Sequence, residues 1–368
     1  MGKRLICLLV LLTALVQARA QDRQQLQKEI EKIIYYDTNI QLEKNPGYVI
    51  GVIIGDSTYV YSYGSVTKDS VQLPDEHTLF EIGGMTKVFT AALVDQLVGE
   101  GLLQYDSTLN HYLPAAYRNP DCASITLRQL VHHSSGLPRM PLEFGSLEKE
   151  DNNPYAHYSK RNLLDFYKDY LGPTGVDQYL YSNLGYALLE QAIEQTTQKE
   201  FERVLQAKIL QPLGLRETAV ALSADQKLRL ARGYANSGKP TQPWVFPSFA
   251  ASEGLKSSVA DLLIFLRANL SSQAALDFQA LHQIGLPTGI TPDSYAAIGW
   301  HVIKMRKRPE VVLHPGSTSG YRSFMGFVKE TQTAVVVLSN SEYGTGGLGQ
   351  LVLRMLNQGR KKKRRYRN

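Results

Sequence analysis

The chain has 368 residues, 43% of them hydrophobic and 20% charged, with a formal net charge of +6. Such length and apolar content can bury a sizeable core, which excludes a disordered or fibrous chain and suits one large domain or two intertwined subdomains. The charge is local: residues 360–367 carry seven Lys or Arg and residues 1–20 carry three more, so removing those ten leaves the body near −4, an electrostatic character that does not suit nucleic-acid binding.

Residues 1–20 read as a cleavable secretory signal: Lys3 and Arg4, an apolar run from Leu5 to Val16, then Ala18-Arg19-Ala20. The expected cleavage lies after Ala20, and the expected location is secreted or periplasmic. The apolar run is short for a bilayer span, and no later run reaches about 18 uninterrupted apolar residues. Cys7 sits in the signal and Cys122 stands alone after it, so no intrachain disulfide is expected. Leu26, Ile30, Ile33 and Ile34 recur at helical spacing and predict an amphipathic helix over Gln21 to Tyr36. Tyr48 to Ile54 and Tyr59 to Tyr63 read as strands of a hairpin joined by Gly55-Asp56-Ser57-Thr58.

After Gly83-Gly84-Met85, the run Val88, Phe89, Ala91, Ala92, Leu93, Leu97, Val98 is apolar almost all round, as in a buried helix, and it ends near Gly99-Glu100-Gly101. Lys87 sits at its start. Either it snorkels out of the first turn, or it is held among apolar groups at a cost of several kcal/mol for a function. Thr126 caps a helix through His133 that stops at Gly136-Leu137-Pro138, and Ser159 to about Leu222 carries mostly helical signals. A further helix is predicted over Val259 to Asn269, then strands over Gly299 to Met305, Val311 to His314, Tyr321 to Val328 and Ala334 to Ser339, and a helix over Leu348 to Leu356. Strands at both ends with helices between predict an α/β fold: an antiparallel sheet flanked by helices, with an inserted helical subdomain. The expected division is an α/β part at about 21–85 and 250–357, a helix-rich part at about 86–249, and a basic disordered tail at 358–368.

Gly344-Thr345-Gly346-Gly347-Leu348-Gly349 matches a dinucleotide fingerprint, but the acidic residue needed about 20 positions on is absent, so it reads as a strand-to-helix turn and no cofactor is expected. The histidines show no metal-ligand spacing, His132 and His133 lying about 100° apart on a helix, and no metal is expected. Asn269-Leu270-Ser271 is a glycosylation triplet by rule, of a kind frequent by chance. Two further segments gain weight by their order after Gly84 and Lys87. Tyr181-Ser182-Asn183 places a phenol and a carboxamide at a helix start, and His314-Pro315-Gly316-Ser317-Thr318-Ser319-Gly320, between two strands, offers small residues and backbone N–H groups.

Over roughly residues 27–357 the chain resembles the serine β-lactamase-like and penicillin-binding protein family, in its class C and D-alanyl-D-alanine carboxypeptidase or esterase branch. Gly84-Met85-Thr86-Lys87 aligns with the S-x-x-K segment of that family, Tyr181-Ser182-Asn183 with its Y-x-N, and His314-Pro315-Gly316 with its K/H-x-G. Thr126 to Pro138, Leu210 to Thr218 and Glu253 to Leu266 are similar as well. The resemblance implies a β-lactamase/transpeptidase-like fold and hydrolysis of amide or ester bonds of the β-lactam, D-Ala peptide or small ester type. It implies Lys87 and Tyr181 as catalytic residues, Asn183, His314, Gly316 and Ser317 as substrate-binding residues, and the backbone N–H groups of Gly84 and Ser317 as the oxyanion hole.

The departure is at the nucleophile, where glycine stands in place of serine. Gly84 has nothing to acylate, whereas its backbone donor is unaffected. Removing a hydrolase nucleophile lowers turnover about 10⁶-fold, while binding and the oxyanion hole retain about 10³ to 10⁴ over water. Thr86, about 200° around the helix from Gly84, points away from the cleft. The expectation is a weak enzyme or a ligand-binding pseudoenzyme for a small-molecule or peptidoglycan-derived ligand. The alternatives are direct water attack activated by Tyr181 and Lys87, or a vestigial cleft with the tail as the functional part. His314 where many members carry lysine points toward small esters or peptides over β-lactam carboxylates, imidazole being largely neutral at pH 7. The basic tail suits an anionic membrane or cell-wall polymer, nucleic acid being the weakest partner behind a secretory signal, and a solvated end is an equal reading.

Overall fold

The computed structural model describes residues 21–41, 43–144, 153–272 and 274–358. The expected signal at 1–20 and the basic run at 360–367 lie outside them. A seven-stranded, wholly antiparallel sheet organises the molecule: β1 (Gly47–Ile54), β2 (Ser57–Gly64), β5 (Ser294–Ala296), β6 (His301–Ile303), β7 (Val311–Thr318), β8 (Tyr321–Val328) and β9 (Thr333–Ser339), in the order β2-β1-β9-β8-β7-β6-β5. A two-stranded ribbon of β3 (Phe80–Glu81) and β4 (Lys256–Ser257) stands apart from it.

Both faces of the central strands are covered, and the period of two decides which residue goes where. From β1 and β9, Tyr48, Ile50, Val52, Val335 and Val337 turn to one face, where they meet Leu26, Ile30 and Ile33 of α1 (21–37). Val49, Ile53, Ala334, Val336 and Leu338 turn to the other face. That second face is continuous with the main core, which takes in α2 (Thr86–Gly99) and the helices of the middle of the chain. These include α3 (Leu127–Val131), α4 (Lys160–Asp169) and α5 (Asn183–Thr197). α6 (Ala250–Glu253) and α7 (Val259–Leu270) lead the chain back to the sheet, where Phe89 of α2 stacks on Phe265 of α7 at 4.2 Å. α8 (Leu348–Leu356) closes the first face with Leu348, Val352 and Leu353. Among the described residues no helix is long and apolar enough to cross a membrane.

Four expectations are adjusted. The first hairpin is tighter than its composition implied: Ile54 pairs directly with Ser57, leaving Gly55-Asp56 as the turn. The helix capped by Thr126 ends at Val131, and His133 has φ 58°, so His132 and His133 are not on one helix. A short strand, Ser294–Ala296, carries too few residues to show a period. The His314 segment is no turn: β7 runs on to Thr318, pairing Pro315 with Phe324 and Ser317 with Arg322. Its partner on the other side, β6, reaches only Leu313, so from His314 onward that edge of β7 is released from the sheet. A proline can sit there because its missing N–H falls where no ladder bond is required. The glycine-rich 344–349 segment leads from β9 into α8, and since β9 is antiparallel to both neighbours no βαβ unit exists there. Asn269 is buried, donating to Phe265 O at 2.8 Å and lying 2.8 Å from His282 Nε2, so its glycosylation triplet is closed off in the folded chain.

Candidate active site

The free edge of β7 packs against the short turn Gly83–Met85 that starts α2. The approach is close enough to dictate two residues. Gly83 has φ +49°, and a Cβ there would come within 2.5 Å of Ser317 O; a Cβ on Gly316 would overlap Ile82 O. Glycine alone tolerates such backbone contact. The turn therefore brings Gly84 beside Pro315 and Ser317, the neighbourhood expected for an oxyanion hole.

Tyr181 and Asn183 arrive from a third direction. The Ser182 backbone donates to His133 Nδ1 at 3.0 Å, its hydroxyl donates to Pro138 O at 2.7 Å, and the same hydroxyl caps α5 by accepting from Gly185 N at 2.9 Å. The amides of Asn183 and Leu184 both donate to Arg139 O. His133 also stacks on the Tyr181 ring at 4.4 Å. With Ser182 locked on three sides, the phenol and the carboxamide on either side of it have little freedom. A Cβ built on Gly84 would lie 2.9 Å from Tyr181 Oη, 3.4 Å from His314 Cε1 and 3.5 Å from Pro315 O. Tyr181, His314 and β7 thus surround the space that a side chain at position 84 would use.

Lys87 does not snorkel. Its side chain is fully buried, its ammonium donates to Ser252 O at 3.0 Å, and it lies 4.8 Å from the centre of the Tyr181 ring and 5.7 Å from that of Tyr186. Glu253 Oε1 is 3.9 Å away. Burial pulls the Lys87 pKa down to about 7, with Glu253 opposing the shift and Arg139 reinforcing it. Burial pushes the Tyr181 phenol well above its ordinary value, the Glu253 charge adding to the effect. In the resting cleft the phenol is therefore a proton donor, and of the pair only the amine loses its proton near neutral pH. His314 is buried and its pKa is driven well below the ordinary value by burial, with His301 and Lys87 adding to it, so the ring is neutral. Its Nδ1 is 2.6 Å from Pro315 O, and its Nε2 is buried with no hydrogen-bond partner. The Asn183 amide group donates to Glu253 Oε1 at 2.8 Å while its Oδ1, also buried, accepts nothing. Thr86 Oγ1 accepts from Leu255 N at 3.1 Å, which turns it away from the cleft. Among the described residues no group of three or more His, Cys, Asp or Glu is placed to hold a metal.

A cavity of about 480 Å³ opens beside this assembly, with Asn183, Glu253, Ser317, Arg139, Tyr155 and Arg322 in its wall; Gly84, Lys87, Tyr181 and His314 do not line it. A description of the beta-lactamase family matches residues 37–357. The chain belongs to the beta-lactamase family. It is 26% identical over 337 residues to the beta-lactamase of Pseudomonas fluorescens, covering 83% of this chain and 91% of that one. It is 26% identical over 320 residues to penicillin-binding protein 4* of Bacillus subtilis (strain 168), covering 81% and 69%. In fold it is similar to a class C beta-lactamase from Rhodobacter sphaeroides, with TM-score 0.71, 22% identity and coverage of 85% and 93%. It is also similar in fold to an octameric penicillin-binding protein homologue from Pyrococcus abyssi, with TM-score 0.76, 23% identity and coverage of 91% and 77%.

Within this beta-lactamase-family cleft, the residue that motif reading passed over is Glu253. It accepts from Tyr155 Oη at 2.8 Å and from Asn183 Nδ2 at 2.8 Å, and it is the carboxylate facing Lys87. Its signal was present: one acid within Ala250-Ala251-Ser252-Glu253-Gly254, small residues that leave nothing else to carry charge. His133, Tyr155 and Arg139 were missed for a different reason, since each reaches the site through loop backbone that no periodicity describes. If Glu253 is the counter-charge of Lys87, Glu253→Gln must lower the Lys87 pKa below about 7. Following the lysine side-chain ¹³C resonance against pH checks this, and an unmoved titration would dissociate the two groups.

Proposed function

We propose that this protein is a secreted binder of acyl-D-amino-acid, peptidoglycan-derived or similar small amide and ester ligands, built on a beta-lactamase-family cleft that lacks the acylation step. The observation that carries this reading is Gly84: the space for the nucleophile is bounded by Tyr181 Oη, His314 Cε1 and Pro315 O, yet no hydroxyl occupies it. The rest is arranged for a ligand. Asn183 Oδ1 and His314 Nε2 are buried acceptors without partners, and such groups cost about 1–3 kcal/mol each unless something donates to them. A neutral His314 favours an uncharged ester or peptide group at that position over a carboxylate. Secretion rests on the signal-like residues 1–20.

The test is restoration. In Gly84→Ser the new Cβ meets only the tip of the Tyr181 side chain closer than 3.0 Å, so a few tenths of an ångström of phenol movement accommodates it. That variant is expected to form a covalent adduct with a fluorescent penicillin, read by intact mass, and to hydrolyse nitrophenyl esters at least about 10³-fold faster than the natural chain. Turnover by the natural chain within tenfold of the serine variant would overturn the reading.

One observation favours a second reading, slow hydrolysis by direct water attack. An amine with a pKa near 7 can serve as a general base at neutral pH, whereas the phenol cannot. The base must be unprotonated, so any such hydrolysis by the natural chain rises with pH through about 7, levels off above it, and disappears in Lys87→Met. A rate that climbs tenfold per pH unit without a plateau is hydroxide chemistry and removes this reading.

A further inference from the structure

Away from the cleft, a groove of about 740 Å³ lies at the far end of β7, between the turn joining β6 to β7 and helix α8. Its floor is apolar: Ile303, Val311, Val328 and Leu353, edged by Met305. Its rim is basic: Arg306, Lys307 and Arg308 from the turn and Arg354 from α8, all exposed. Among the described residues no acidic one lines the groove. The nearest in sequence, Glu310 and Glu330, line a neighbouring depression, where Glu310 faces Lys304 at 3.6 Å.

Three features argue against an ordinary solvated turn. Lys307 holds φ +62°, a left-handed conformation for which glycine or asparagine is the usual choice, so a cation stands at the tip against backbone preference. Cations and the partly exposed side chains of Ile303, Met305 and Val311 face the same groove, with Val328 and Leu353 buried beneath them, the pairing that interfacial protein surfaces use. Finally, the groove wall ends at Gln358, and two residues later the chain enters the run Arg360-Lys361-Lys362-Lys363-Arg364-Arg365. The rim thus carries charge of one sign, although the body as a whole is slightly acidic. Val311 and Ser317 are six residues apart on β7, about 20 Å at the rise of a strand, so the groove is remote from the cleft.

We propose that this end of the molecule docks on an anionic lipid bilayer, with Ile303, Met305 and Val311 meeting the interface and Arg306, Lys307, Arg308 and Arg354 meeting lipid headgroups. Nucleic acid fits less well, because none of the groove residues is aromatic and stacking platforms are what single-stranded sites need. The proposal is independent of what the cleft binds.

Sedimentation with vesicles tests it. The purified protein is mixed with vesicles of phosphatidylcholine alone or of phosphatidylcholine and phosphatidylglycerol at 7:3, at low and high salt, and separately with a single-stranded oligonucleotide. It is expected to sediment with the anionic vesicles only, less at high salt. Each basic residue near a bilayer surface is worth about fivefold, so Arg306→Glu/Lys307→Glu/Arg308→Glu with the tail intact should lose at least tenfold at an unchanged melting temperature. Should the triple variant unfold, Lys307→Glu and Arg354→Glu singly must each lose at least twofold. Wild-type binding by the charge-reversed variants would assign attachment to the tail alone and overturn the groove. Oligonucleotide binding as tight as vesicle binding, or no vesicle binding, would overturn it equally.

Discussion

An amine without access to water has to be compensated inside the fold, and the arrangement of this cleft follows from that requirement. Desolvating an ammonium costs several kcal/mol, and Lys87, fully buried, is offset by one carbonyl at 3.0 Å, one carboxylate at 3.9 Å and the faces of two tyrosines. Each compensating group is fixed by its own element: Ser252 and Glu253 by α6, Tyr181 by the lead into α5, Tyr186 by α5 itself. An apolar side chain of similar length would pack there at lower cost, so a chain with no use for the cleft gains nothing by carrying a buried lysine. This favours a cleft that still binds over one that is vestigial.

The nucleophile position shows how narrow the difference between binding and reacting can be. Gly83 and Gly316 are dictated by backbone contact with β7, and any side chain at either would push the α2 turn away from Ser317. Gly84 carries no such demand. The atom nearest its missing Cβ is the end of a tyrosine, which can yield. Position 84 is therefore glycine for a reason other than fit, and the scaffold on both sides of it keeps the geometry that a hydroxyl there would need. On the proposed reading, binding and acyl transfer separate at a single side chain, because the oxyanion-side donors are backbone while the attacking group is not.

Much of this was legible before any coordinates. The strands β1 and β9, the all-round apolar run of α2 and the Thr126 cap are local, and they came out where the sequence placed them. The three motif segments converge as their resemblance implied. What the sequence could not show was tertiary in origin. Pro315 hid the continuation of β7, since proline argues against a strand unless one edge is known to be free. Glu253 hid its role because its partners lie 70 and 98 residues away. The far groove was not legible, since its cations come from one turn and one helix and its apolar floor from β6, β7, β8 and α8 together.

The central claim is that the cleft binds without reacting. Calorimetric titration of the natural chain with an N-acyl-D-alanyl-D-alanine amide, followed by mass analysis of the recovered ligand, tests it most directly. The account predicts saturable, reversible binding that weakens markedly in Asn183→Ala, with the peptide recovered intact. Absence of binding at millimolar peptide, binding indifferent to Asn183, or recovery of a cleaved peptide would contradict it.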